Sequence, residues 1–104
     1  MLQVMLIYTV TVHLPSQELL QEVLDWLEDD HLAQVVEAGA EDGEATVLDG
    51  DEYVVEVRYR FASREAFAVY EAGPASALRS EGARFIENGA RFERTIGTST
   101  IRRG

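Results

Sequence analysis

The 104-residue sequence contains no cysteine. That absence excludes disulfides, thiol nucleophiles and every thiolate metal site, while leaving the redox compartment open. Lysine is missing as well: all nine basic residues are arginine, and none precedes Arg58. A secretory leader opens on a basic stretch ahead of an apolar run, so no targeting segment is expected. No apolar stretch approaches the ~20 residues of a membrane-spanning helix, so cytoplasmic residence without a membrane partner is expected. Positive charge is scarce, nine bases against 19 acids for a formal net charge of -10. This is the wrong sign for holding a phosphate backbone, and nucleic acid is not an expected partner. Two histidines without cysteine do not by themselves fix a metal, and none is predicted. No P-loop, G-x-G-x-x-G or G-x-S-x-G is present, which removes the minimal backbone geometry of nucleotide and serine-hydrolase sites, and no cofactor is expected.

What the chain does have is enough apolar material for one core, with 46% hydrophobic and 27% charged residues. Its length predicts a single domain over 1–104, with a core at about 5–101. A domain this small buries only about 60 to 70% of the surface of its unfolded chain, so an identical partner would stabilise it, and a homodimer is expected. Charge is unevenly divided. Residues 1–57 hold fourteen acids and no base, whereas 58–104 hold nine bases and five acids. The halves attract, either within one fold or between two copies.

From Val4 to His13 the residues alternate, Leu6, Tyr8, Val10 and Val12 against Thr9, Thr11 and His13, which predicts a strand. Pro15 and Ser16 break that period. Ser16 can cap a helix carrying Leu20, Val23, Leu24 and Leu27 to about Asp30, and a further helical pulse, Leu32, Val35 and Val36, continues or bends at His31 and stops at Gly39. Ala40 to Gly43 reads as an acidic link, Ala45 to Leu48 as a short strand and Asp49-Gly50-Asp51 as a turn. Tyr53, Val55, Val57, Tyr59 and Phe61 then alternate with Val54, Glu56, Arg58 and Arg60 in a third strand. Ser63 can cap a helix with Phe67 and Tyr70, interrupted at Gly73-Pro74. A new helix starts there, running through Leu78, Phe85 and Ile86 to Asn88-Gly89, and Arg91 to Ile101 reads as the last strand.

The order β-α-β-β-α-β predicts an α+β ferredoxin-like sandwich, a four-stranded antiparallel sheet with the helices on one face. The helices need an apolar floor, which Tyr8, Val10, Val12, Val55, Val57, Tyr59 and Phe61 supply. Met5, Ile7, Thr9, Thr11, His13, Val54, Glu56, Arg58, Arg60, Thr95 and Ile101 are left on the uncovered face, a mixed surface that a second copy can cover. Ile7, Thr9, Thr11, Glu56, Arg58 and Arg60 form the candidate dimer face, with paired ions crossing a two-fold axis.

Several sequence words resemble a known family. Ile7-Tyr8-Thr9-Val10-Thr11-Val12, Trp26-Leu27, Asp30-His31-Leu32, Val35-Val36 and Gly39 are similar to the bacterial domain of unknown function 4286 family. So are Tyr59, Tyr70, Leu78-Arg79, Gly82, Arg84-Phe85, Phe92 and Arg94, and the resemblance covers about Met5 to Ile101. It implies a ferredoxin-like fold and a dimeric α/β barrel similar to antibiotic-biosynthesis monooxygenases, without an established activity. The chain departs from the family at Ala72-Gly73-Pro74, where many relatives carry a His before the Pro, so any role of that His is absent.

His31, at the end of an acid-rich helix, can serve as base, acid or ligand, or can simply settle on the helix C-terminal dipole beside Glu28 and Asp30. Glu28-x-x-His31 has the spacing of carboxylate di-iron bundles, which need a second such motif that is missing here. Trp26, Tyr8, Tyr59, Tyr70 and Phe92 can be plain core, or can converge on a small-molecule pocket between sheet and helices where related barrels place one. With His31, Tyr59 and Arg79 they make the candidate pocket, and Arg79 and Arg94 sharpen that reading only if they point inward instead of pairing with the first helix. The main expectation is a homodimeric binding or interaction module with a possible small-molecule ligand. The alternative is a cofactor-independent monooxygenase-like or isomerase-like enzyme on an aromatic or polyketide-type substrate, with His31 and Tyr59 handling protons. A structural subunit with a heterologous partner is the third.

Overall fold

A computed structural model describes residues 5–104 of the chain. Val4, the expected first residue of the opening strand, lies outside the described residues. The elements run β1 (Met5–Leu14), α1 (Gln17–Trp26), a π-helical turn (Leu27–His31), α2 (Leu32–Glu37), β2 (Asp42–Val47), β3 (Tyr53–Phe61), α3 (Arg64–Ala72), α4 (Pro74–Ser80), α5 (Ala83–Glu87) and β4 (Arg91–Ser99). The strands form one antiparallel sheet in the order β2-β3-β1-β4, with β1 and β3 in the middle. The fold is the α+β ferredoxin-like sandwich with helices on one face.

The alternation of β1 carries straight into burial, every second side chain being buried from Leu6 to Leu14. In register, Tyr8 faces Tyr59, Val10 faces Val57 and Val12 faces Val55, so the apolar sides of the two central strands coincide. Leu19, Val23, Trp26 and Val35 from the first helical layer and Phe67, Tyr70, Ala75 and Phe85 from the second close over them. Ser16 and Ser63 take up extended conformations, and their hydroxyls accept from the backbone N–H groups of Leu19 and Ala66 at 3.2 and 3.0 Å. Each satisfies a donor that the first helical turn would otherwise leave unpaired. Among the described residues no helix is long and apolar enough to cross a membrane.

Four local expectations are corrected. The helix continues past His31 through the π-turn to Glu37, as one of the two expectations had it, so His31 is interior to a continuous helical stretch and, contrary to the reading that settled it there, no helix C-terminal dipole acts on it. The segment Asp42 to Gly43 is strand, not link, because Asp42 and Gly43 pair with Arg60 and Tyr59. The break expected at Gly73 is present, but the helix that starts there does not run on to Asn88: it breaks again at Glu81–Gly82, and the short α5 turns Phe85 into the core but leaves Ile86 55% exposed. The last strand ends at Ser99, and Ile101 is 92% exposed, outside the sheet.

Gly43 shows how tightly the sheet edge meets the core. A Cβ built there would stand 2.8 Å from Cδ1 of the Tyr59 ring opposite. That ring is 2% exposed and cannot swing aside freely. Gly43→Ala is therefore expected to cost about 1–3 kcal/mol, as overpacked cores do. Urea unfolding would read this as a lowered midpoint, and an unchanged midpoint would contradict the packing described.

Candidate functional site

The helix layer does not seat flush on the sheet. Beneath α1, the π-turn and α4, beside β4, a cavity of about 30 Å³ remains, room for about two waters. All seven residues of the candidate pocket, Tyr8, Trp26, His31, Tyr59, Tyr70, Arg79 and Phe92, line it, together with Arg94, Gly82 and an aliphatic floor of Val10, Val12 and Val57.

Each wall has a local cause. Tyr8 and Tyr59 are register partners on the buried side of β1 and β3, their rings 5.8 Å apart and nearly parallel. Phe92 and Arg94 pair in register with Val12 and Val10, so alternation of β4 turns both toward the helix side. The helices cover β4 thinly: Ile96, also on that side, is 52% exposed, and Arg94 is exposed at the cavity mouth. Pro74 at the first position of α4 starts a new helical direction, which carries Arg79 back over β1. Gly82 stands close to Phe92 and Trp26, where a Cβ would lie 3.5 and 3.6 Å from their rings.

The π-turn accounts for His31. In an α-helix, side chains five apart point about 140° away from each other, at 100° per residue. The wider π-turn reduces that angle and brings the His31 imidazole onto Trp26, with centroids 4.1 Å apart and planes 21° apart. Glu28 remains exposed on the far side, so the Glu-x-x-His pair does not converge. Periodicity analysis assumes a constant helical repeat and has no signal for this turn.

Electrostatics sort the polar groups. Burial, with Arg94 adding a smaller effect, pushes His31 down from 6.5 to about 4, so it is a neutral imidazole at pH 7. Burial raises Tyr59 well above its ordinary range, with smaller contributions from Tyr70 and Tyr8, which rules against Tyr59 as a proton carrier near neutrality. Burial also raises Tyr70, to about 12. Burial alone would lower Arg79, but its hydrogen bonds to Glu71 and Tyr8 overcome this and hold it charged. Arg79 thus pairs with Glu71 on α3, not with the acidic first helix. Arg94 makes no ion pair among the described residues, and its guanidinium lies 5.7 Å from the Phe92 ring centroid.

The two arginines meet on one atom. Arg79 Nη2 and Arg94 Nε each donate to the Tyr8 hydroxyl oxygen at 3.1 Å. The sequence marked both arginines, but only the register of β4 and the tilt of α4 bring them to Tyr8. Nδ1 of His31 and Nε of Arg79 are buried without a partner among the described residues.

On the opposite sheet face, Ile7, Thr9, Thr11, Glu56 and Arg60 are half-buried and Arg58 is exposed. Arg60 pairs with Asp42 on the neighbouring strand at 3.4 Å, and His13 meets Glu93 at 2.9 Å. Glu56 and Arg58 have no ionic partner among the described residues.

His31 supplies a testable linkage. Below pH 6.5 the unfolded chain takes up a proton at His31 before the folded chain does, so the folded state loses stability as pH falls from 6.5 toward 4. The His31 ring protons are expected to titrate near 4 by NMR, and His31→Gln should flatten that part of the stability profile. A midpoint at the ordinary value would refute the burial argument.

No protein-family model and no curated protein matches the chain. Solved structures do. A dimeric ferredoxin-like protein from an uncultured marine organism has a TM-score of 0.75 at 17% identity, covering 95% of this chain and 98% of its own. A monooxygenase of Streptomyces coelicolor in complex with nanaomycin D has a TM-score of 0.69 at 16% identity, with 98% and 95% covered. A de novo designed protein, Foldit4, reaches 0.60 at 15% identity over 94% and 99%. Since a designed chain and a monooxygenase share it, this fold prescribes no activity. At these identities the likeness establishes the ferredoxin-like architecture.

Proposed function

We propose that the protein is a cytoplasmic homodimeric binding module, in which a second copy covers the open sheet face and the cavity beside β4 receives a small molecule. The kinship with the domain of unknown function 4286 family belongs to this proposal and rests on the sequence words that carry it. The cavity is the observation that carries the reading: it gathers unpaired buried polar atoms inside an aromatic wall, whereas a finished core satisfies its polar groups.

The dimer reading rests on the sheet. Its middle strip, Ile7, Thr9 and Thr11, is neutral, and beside it Glu56 and Arg58 have no ionic partner among the described residues, one that a two-fold mate can supply. The marine neighbour described as dimeric shares this architecture across nearly the whole chain.

An enzyme acting on an aromatic or polyketide-type substrate has less support. Sites for such ligands usually offer about 300 Å³ or more, against about 30 Å³ here, and Tyr59 holds its proton.

Light scattering or native mass spectrometry should give about twice the 11.6 kDa chain mass. Thr9→Arg, which places a charge in the neutral strip, is expected to return the monomer mass while leaving the circular dichroism spectrum unchanged. A wild-type monomer, or a variant dimer of undiminished affinity, counts against this face.

A further inference from the structure

We infer that the cavity binds the oxyanion head of a small carboxylate through the Tyr8 hydroxyl, which Arg79 and Arg94 polarise; this rests on the cavity being a binding site.

The argument begins with valence. A phenol has one O–H and two lone pairs. At Tyr8 both lone-pair directions are taken by guanidinium N–H groups at 3.1 Å. Its own proton has no acceptor among the described residues, although the residue is only 3% exposed. A buried donor without an acceptor is costly, so the arrangement fits a missing acceptor. Donation from two cations draws electron density from the oxygen and strengthens the O–H as a donor.

Charge specifies the kind of acceptor. No Asp or Glu lines the cavity. Glu71 neutralises Arg79, but Arg94 has no carboxylate partner among the described residues, so the cavity carries one uncompensated positive charge. His31 adds none, being neutral at pH 7. Two further atoms on lining residues lack a partner among the described residues, Nε of Arg79, which is a donor, and Nδ1 of the neutral His31. A carboxylate, acceptor-only and with two oxygens, can meet the phenol O–H and the Arg79 N–H together, and its negative charge answers Arg94, which a neutral alcohol or an amine does not.

Size limits how much of the ligand enters. About 30 Å³ holds a carboxylate head and little else, so the remainder of a larger acid would leave past Arg94 along the thinly covered side of β4. Aromatic walls of Trp26 and Phe92 exclude competing water and strengthen each of these bonds.

Trp26 is the sole tryptophan and lines the cavity, so its fluorescence reads events there, and the cavity variants separate them from binding at the acidic surface cleft beside Arg84 that Trp26 also borders. The full-length protein at pH 7 would be titrated at constant ionic strength with acetate and, separately, with acetamide, its neutral isostere. Acetate is expected to give a saturable change that acetamide lacks. Tyr8→Phe, which removes the O–H and keeps the ring, should weaken acetate at least about tenfold, the size of one hydrogen bond to a charged group. Arg94→Gln at the exposed mouth should weaken it similarly with an unchanged circular dichroism spectrum, whereas Arg103→Gln, exposed beyond the last strand, should not. Equal saturation by acetate and acetamide would overturn the oxyanion assignment while leaving a binding cavity in place. No saturable response to either probe would overturn the assignment together with the binding reading. Wild-type acetate affinity in both Tyr8→Phe and Arg94→Gln would also overturn it.

Discussion

A hydroxyl oxygen buried in the middle of β1 has to be hydrogen-bonded, and this requirement ties the molecule together on the helix side. Tyr8 cannot leave the core, because β1 is paired on both edges and every second residue is turned inward. Its oxygen is therefore met by Arg79 from α4 and Arg94 from β4, and Arg79 is in turn anchored by Glu71 of α3. Four elements far apart in sequence converge on one small polar cluster. Such a cluster is expensive to bury unless its members are satisfied, which is why its unsatisfied members at the cavity matter more than its satisfied ones.

The cavity follows from two departures from regularity. A straight α-helix from Gln17 to Glu37 would aim His31 away from Trp26; the π-turn stacks the two and thickens the cavity wall. A single second helix would cover β4 more fully; the breaks at Gly73 and Gly82 leave short segments that follow the sheet poorly, so Ile96 and Arg94 stay accessible. A packed layer of ideal helices over the same floor would have closed this space. Short helices gain little stability from their own hydrogen bonds, so their positions are set by the few side chains that dock, Ala75 and Phe85 among them.

The two faces of the sheet then differ in kind. The helix side concentrates aromatic rings and guanidiniums around a small cavity that opens beside Arg94. The other side is a shallow strip of Ile, Thr and alternating charges, matched at Arg60 and Asp42 and, among the described residues, unmatched at Glu56 and Arg58. The two faces are separate surfaces, so the proposed ligand and the proposed second copy would not compete for the same side chains. Structural relatives with this fold include a designed protein and a monooxygenase, so the difference between the faces, not the architecture, bears on what this chain does.

Much of the fold was legible in the residue pattern, since a period of two over β1 and β3 and serine caps before α1 and α3 state their physics within a few neighbouring positions. The candidate pocket residues could be named for the same reason: aromatic and basic side chains on the inward positions of known elements have few places to go. The convergence of Arg79 and Arg94 on Tyr8, the stacking of His31 on Trp26 and the size of the remaining space belong to the tertiary structure alone. They depend on helix tilt, a local change of helical repeat and the register of β4. These are set by contacts between residues up to 86 positions apart, which no local pattern encodes.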